Sequence, residues 1–189
     1  MGNLVMNMSM SLDGFIAAKN DSPEQPLGED GDRLHEWLFR NNSEEYDKAI
    51  EGATQSLGAV IIGRRTYDNA RASWGGHGPV EGVPSFILSK DIPDENGPMM
   101  TFVTDGIESA LKKARAVAGD KSIDIMGANV QQQYLKAGLI DIIVIDLVPV
   151  ILSEGVRLFD HLGDKHISLQ QLEVNEGDQA THITYSVAK

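Results

Sequence analysis

Three short stretches of this chain carry the residue types that hold a polyanion: Gly63-Arg64-Arg65-Thr66, Ser89-Lys90 and Gly127-Ala128-Asn129-Val130. Each follows an apolar run that reads as a strand. Glycine lets backbone approach a phosphate closely, and free N–H groups at a helix start donate to its oxygens. Thr66 adds a hydroxyl donor. Arg64, Arg65 and Lys90 can meet a terminal phosphate through charge-assisted bonds worth roughly 1.5–3 kcal/mol each. Ligands of open parallel sheets bind outside the carboxyl ends of strands. Together the three stretches predict a site for a phosphorylated cofactor; singly, each also reads as a solvated helix start.

The rest of the composition narrows the chemistry. Sixteen basic against 28 acidic residues in 189 give a net charge of −12, so any polyanion needs a local positive spot. The same imbalance argues against a nucleic-acid binder. The absence of cysteine removes disulfides, thiolate metal sites and thiol nucleophiles. No G-x-G-x-x-G, G-x-x-x-x-G-K-[ST] or G-x-S-x-G occurs. Gly75-Gly76-His77-Gly78 reads as a loop. The histidines at 35, 77, 161, 166 and 182 offer no pair at i,i+4, so no metal site is expected. The opening residues lack a basic n-region and an apolar h-region, and the apolar stretch Leu139 to Leu152 is broken by Asp141, Asp146 and Pro149. The expectation is a cytoplasmic protein with no membrane partner.

The elements that must position these residues alternate strand and helix. Leu4 to Leu12 is β-rich and ends in the turn signal Asp13-Gly14. A loop from Lys19 to Gly31 precedes a helix that Asp32 caps, with Leu34, Trp37 and Leu38 on one face. Ser43 caps the next helix, with Glu44 and Glu45 in its first turn, and Gly58 ends it. Ala59 to Ile62 reads as a buried strand, with a short helix from Arg64. Val83 to Leu88 and Thr101 to Thr104 are strands, Asp91 to Met100 a loop, and Asp105 to Ala118 a helix. Ser122 to Met126 is a strand, followed by a helix over 129–137 stopped by Gly138. Ile140 to Val150 is a long β-branched strand. Leu169 to Asn175 and Thr181 to Val187 pair as an antiparallel hairpin. The pattern predicts one α/β domain over 1–189, with a mostly parallel sheet covered on both faces.

Ser11-Leu12-Asp13-Gly14-Phe15-Ile16-Ala17, Gly63-Arg64-Arg65-Thr66-Tyr67 and Met126-Gly127-Ala128-Asn129-Val130 resemble the dihydrofolate-reductase-like family of the riboflavin-biosynthesis reductase domain. The match continues through Ala137 to Asp141, Pro149-Val150, Arg157-Leu158-Phe159 and Thr181 to Tyr185. The resemblance implies a dihydrofolate-reductase-like three-layer sandwich, NADPH as hydride donor and a homodimer. It places Gly63, Arg64, Arg65 and Thr66 at the cofactor's phosphates and Ser89 and Lys90 by its 2′-phosphate. Gly127, Ala128, Asn129 and Val130 fall near the pyrophosphate, and Ser9, Ile16 and Ala17 around the nicotinamide. Two departures stand out: a single Gly127 where family members often carry two glycines, and Ile142 where an acidic residue commonly follows the Gly-Leu-Ile-Asp run.

Hydride addition to a C=N bond leaves a basic nitrogen that needs a proton, and a carboxyl in an apolar pocket can supply it. Asp32 is the first candidate, Glu36 the second and Asp13 the third, with helix capping as the alternative for Asp32. Asp13, Trp37 and Trp74 are candidates to border a planar substrate. The expected activity is that of a stand-alone reductase similar to 5-amino-6-(5-phosphoribosylamino)uracil reductase. A non-catalytic ligand-binding or self-associating protein of the same fold is the alternative, and a flavin-binding oxidoreductase a third.

Overall fold

The computed structural model describes residues 2–40, 51–52, 54–93, 97–164 and 166–188. The first part of the helix expected from Ser43, with Glu44 and Glu45, and Asn96 of the expected loop lie outside them; 51–52 and 54–56, from the rest of that helix, are helical. The described strands are β1 (Leu4–Ser11), β2 (Phe15–Ala18), β3 (Leu57–Gly63), β4 (Ser85–Leu88), β5 (Met100–Val103), β6 (Ser122–Met126), β7 (Ile142–Val148), β8 (Gly155–Arg157), β9 (Leu169–Glu176) and β10 (Thr181–Val187). The helices are a 3-10 turn (Gly31–His35), α1 (Glu36–Arg40), α2 (Arg64–Ala70), α3 (Ile107–Ala118) and α4 (Ala128–Lys136).

Eight strands form one sheet in the order β5-β4-β3-β6-β1-β7-β10-β9. From β5 to β7 every neighbouring pair is parallel; β10 runs antiparallel to β7 and β9 antiparallel to β10. The expected α/β fold, with its mostly parallel sheet and antiparallel C-terminal hairpin, is what forms. β2 and β8 make a separate two-stranded sheet, and the sequence reading did not include β8.

The alternation of β3 shows why the sheet needs a layer on each face. Ala59 and Ile61 pack into a large cluster with Ala110, Leu111 and Ala114 of α3 and Val130, Tyr134 and Leu135 of α4. Val60 and Ile62 point the other way, into a cluster with Tyr67 of α2, Ile87 and Phe102. A third cluster, Leu34, Val148 and Ala180 with Trp37 against it, fixes the 3-10 turn and α1 over β7. Burying such side chains contributes roughly 1.5–3 kcal/mol each. Gly58 does not end a helix as expected. It lies inside β3, where a β-carbon would stand 2.7 Å from the Cα and Cβ of Ala118, so it lets α3 close on the sheet. Among the described residues no helix is long and apolar enough to cross a membrane.

One carboxyl sits on the central strand itself. Asp124 of β6 lies between Val5 and Val60 of the neighbouring strands, and its Oδ1 accepts from the Ile125 N–H at 2.9 Å. Burial pushes its carboxyl up to about 7, against the pull of backbone donors at Ile125 and Asn7. A raised folded-state value means that the folded protein holds the proton more tightly than the unfolded chain. The contribution is therefore fully present near pH 4 and is lost as pH rises to about 7. Asp124→Asn is expected to leave stability unchanged at pH 4 and to raise it by about 2–4 kcal/mol at pH 8. Denaturant melts of both proteins across this range check it, and an equal effect at both ends would refute it.

Candidate active site

The parallel register carries the ends of the central strands to one edge. Ile62 pairs with Met126 and Gly63 with Leu88, so the residues that follow each strand emerge side by side. Gly127 has φ of +99°, a backbone state that L side chains rarely adopt. A β-carbon there would lie 2.4 Å from Thr66 Oγ1. A β-carbon on Gly63 would lie 3.0 Å from Val130 Cγ2. The stretches 63–66 and 127–130 thus interlock, each glycine making room for the other's side chain. α2 and α4 both start here, and neither receives a side-chain cap. Their first-turn N–H groups are the usual donors to an anion.

Arg64 joins the third stretch to this corner. Its Nη1 donates to Ser89 Oγ at 2.9 Å. The local charge, however, differs from the expectation. Arg64 also binds Asp68 through Nε at 2.9 Å and Asp91 through Nη1 at 3.0 Å. Arg65 is held by Asp21, whose other donor is Asn69 Nδ2 at 2.9 Å. Lys90 is exposed. The expected bare cationic cluster is therefore a set of guanidinium–carboxylate pairs, because on so acidic a chain nearby carboxylates reach the arginines first. Arg65 and Asp21 tie the loop after β2 to α2.

The other predicted residues divide. Ser9 is buried on β1 and its Oγ accepts from Trp37 Nε1 at 3.1 Å. Ile16 and Ala17 are buried in β2; Ala128 and Val130 are buried in α4, and Asn129 is exposed and accepts from Gln133. Asp13 carries a structural load. Its carboxylate accepts from Ser11 Oγ at 2.6 Å and from the N–H groups of Leu152 and Ser153 at 3.1 and 2.7 Å. The Ser11 hydroxyl and these amides hold its carboxyl below the usual range, so it is set up as an ionised anchor and not as an acid.

Asp32 is neither a cap nor a buried acid. Asp30 occupies the position before the 3-10 turn, without a capping bond, and Asp32 is exposed in the first turn. Glu36 opens α1 and is half-buried. Trp74 packs against the Tyr67–Phe102 cluster, whereas Trp37 belongs to the cluster over β7, so the two tryptophans do not share a wall.

The structure adds a group that the sequence reading passed over. Asp146 of β7 is buried, and its Oδ1 lies 2.7 Å from His182 Nδ1. Ser9 pairs with Asp146 and Asp146 with His182, so the three side chains form one row across β1, β7 and β10. Trp37 covers the row, its ring edge-on to His182 at 4.8 Å between centroids. Nearby, burial lowers the His35 imidazole, opposed by the charges of Asp146 and Asp32. The one available sign was a carboxylate inside the β-branched run Ile142–Val148. Among the described residues, no cluster of His, Asp and Glu has the makings of a metal site. A cavity of about 400 Å³ lies elsewhere, between Lys19, Glu29, Arg33, Val150, Leu152 and Glu154.

The family model described as the RibD C-terminal domain matches residues 3–183. The Bacillus subtilis protein YwjB is 25% identical over 158 residues, covering 84% of this chain and 83% of its own. A putative riboflavin biosynthesis protein from Shewanella sp. PV-4 superposes with a TM-score of 0.77 at 25% identity, covering 99% of both chains. Dihydrofolate reductase from Enterococcus faecalis, in complex with NADP(H) and RAB-propyl, gives 0.60 at 14% identity over 100% of this chain and 98% of its own. A pyrimidine reductase-like protein from Corynebacterium diphtheriae gives 0.64 at 13% identity, covering 99% of this chain and 92% of its own. The last two show the fold.

Gly127→Ala is expected to lower stability by about 1–3 kcal/mol, from both the positive φ and the contact with Thr66. Adding Thr66→Ala restores the contact share alone, so the double variant should melt between Gly127→Ala and the parent. Thermal melts check this, and a Gly127→Ala protein as stable as the parent would refute the interlock.

Proposed function

The chain belongs to the RibD C-terminal domain family, and on that footing we propose that it is a stand-alone reductase using NADPH. The substrate class is a planar pterin-, pyrimidine- or riboflavin-precursor-like compound with a C=N bond, as in 5-amino-6-(5-phosphoribosylamino)uracil reduction. One observation carries the reading: the glycine-interlocked corner presents two uncapped helix starts beside the Arg64–Ser89 pair. The residues fit a dinucleotide in that two uncapped helix starts and the Arg64–Ser89 pair offer hydrogen-bond donors at one edge of the sheet. In this reading α2 and α4 donate to the phosphates, while Arg64, Ser89 and Lys90 meet the 2′-phosphate. Ser9, Ile16 and Ala17 border the nicotinamide, which supplies the hydride when bound. Binding requires the phosphates to displace Asp68 and Asp91 from Arg64 or to share its donors.

That pairing also favours a second reading. A corner whose arginines are already satisfied suits a protein that keeps the fold but binds another ligand or its own copy. The exposed Leu169, Leu172 and Val174 of the edge strand β9 are the surface on which the proposed homodimer forms.

NADPH at a hundred times its dissociation constant is expected to stabilise the protein by about 2.7 kcal/mol, with a smaller effect from NADH. Arg64→Ala is expected to erase most of the difference between the two. Thermal-shift titrations with both cofactors check this. Equal shifts in the parent, or no shift with either, would remove the NADPH assignment, and cofactor stabilisation without oxidation across C=N substrates would favour the second reading.

A further inference from the structure

We propose that His182, oriented by Asp146, is the proton donor that completes reduction of a neutral C=N bond; the assignment rests on the reductase reading above. The argument begins with cost. A buried carboxylate is expensive unless paired and hydrogen-bonded, and Asp146 is 8% exposed in the middle of a sheet face. Its Oδ1 faces His182 Nδ1 at 2.7 Å. A proton on Nδ1 is held there by the carboxylate, which leaves Nε2 as the nitrogen able to exchange protons.

Two observations place that nitrogen at an open edge, and a third opens the neighbouring sheet face. The His182 side chain is 32% exposed, against 11% for Asp146, so the pair runs from the interior to the surface. Gly177, in the turn between β9 and β10, would bring a β-carbon within 3.3 Å of Nε2; as glycine it leaves that edge uncrowded. Two residues back along the strands, the next row is Asn7, Val144 and Thr184. Asn7 is exposed and the other two are half-buried, so the sheet face opens there. In this assignment a planar substrate beside Trp37 extends from that open face across the row, with its C=N nitrogen at the turn edge where Nε2 is open. Neighbouring strands are about 4.8 Å apart, so Ser9 and His182 lie about one bicyclic ring system apart.

The step balances without a further reagent. The imine carbon accepts a hydride, two electrons, from the nicotinamide donor, and the C=N π pair moves to nitrogen. The His182 Nε2–H bond breaks, its proton joins that nitrogen, and the neutral imidazole regains a proton from solvent. The carboxylate at hydrogen-bond distance from His182 is that of Asp146 on β7, and the residue across from His182 on β9 is the neutral Asn175. On the 3-10 turn, His35 feels the charges of Asp146 and Asp32, and Glu36 opens the helix that carries Trp37.

The test pairs two probes that differ only in the need for a proton: 3,4-dihydroisoquinoline, a neutral imine, and N-methyl-3,4-dihydroisoquinolinium, already charged. With NADPH, His182→Gln is expected to slow reduction of the neutral imine by about 10²-fold or more and to leave the iminium rate within about twofold. Asp146→Asn, which takes the carboxylate partner from the imidazole, should slow the imine and leave the iminium rate close to the parent's. A His182→Gln protein that slows both probes equally, or neither, overturns the assignment. The iminium rate and an NADPH titration monitored by nicotinamide fluorescence report folding and cofactor binding independently. A parent that binds no NADPH, or reduces neither probe, removes the reductase reading and this inference with it.

Discussion

Thr66 Oγ1 stands where a β-carbon of residue 127 would have to go, and the candidate site depends on that contact. The parallel ladder delivers β3 and β6 to the same edge, but adjacency alone would let their following helices splay. The positive φ at Gly127 turns the chain directly from β6 into α4. Val130 then packs against Gly63, and Gln131 Nε2 donates to Ile125 O at 2.7 Å. Both helix starts are thereby aimed at one place. A single glycine is enough at this position because the steric demand falls on one residue only.

Charge at this corner is organised as exchange rather than surplus. A chain with twelve more acidic than basic residues cannot hold bare guanidinium groups near carboxylates, so Arg64 takes Asp68 and Asp91 and Arg65 takes Asp21. Exposed pairs of this kind contribute about 0–1 kcal/mol each. That is small beside a bidentate contact to phosphate, so the pairs hold the arginines in place without preventing a change of partner. Asp21 differs in being largely buried, and its donors Arg65 and Asn69 bind the loop after β2 to the helix that begins the corner.

Much of the architecture was legible because it follows from periodicity. The run Ala59 to Ile62 is apolar at every position, which only a strand covered on both faces allows. The polar turn at 176–178 announces the hairpin. Three strand ends were legible as a group for the same reason: a glycine or hydroxyl immediately after an apolar run stands out. What was not legible is what depends on three-dimensional partners. Gly58 looks like a helix stop by type, and only the approach of Ala118 shows why it sits inside a strand. Asp13 and Asp32 are both plausible acids by position along the chain. The structure separates them from that role, one by amide donors and the other by exposure. The pairing of Asp146 with His182 spans 36 residues, and no local pattern encodes it.

The row of Ser9, Asp146 and His182 and the glycine corner answer different physical problems on one sheet. The corner is built from backbone: its donors are amides and its shape comes from missing β-carbons, which suits a ligand recognised by phosphate. The row is built from side chains on three adjacent strands and is closed on one side by Trp37. Asp146 bonds His182 and Ser9 bonds Trp37, so the buried polar groups have partners and carry little net penalty. Ser9 belongs to β1, the strand next to β6 and therefore next to the corner. The backbone-lined and side-chain-lined regions thus meet along one strand, and a rigid parallel sheet fixes their separation. In the proposed reading, that arrangement has one region hold the dinucleotide while the other orients a second, smaller molecule.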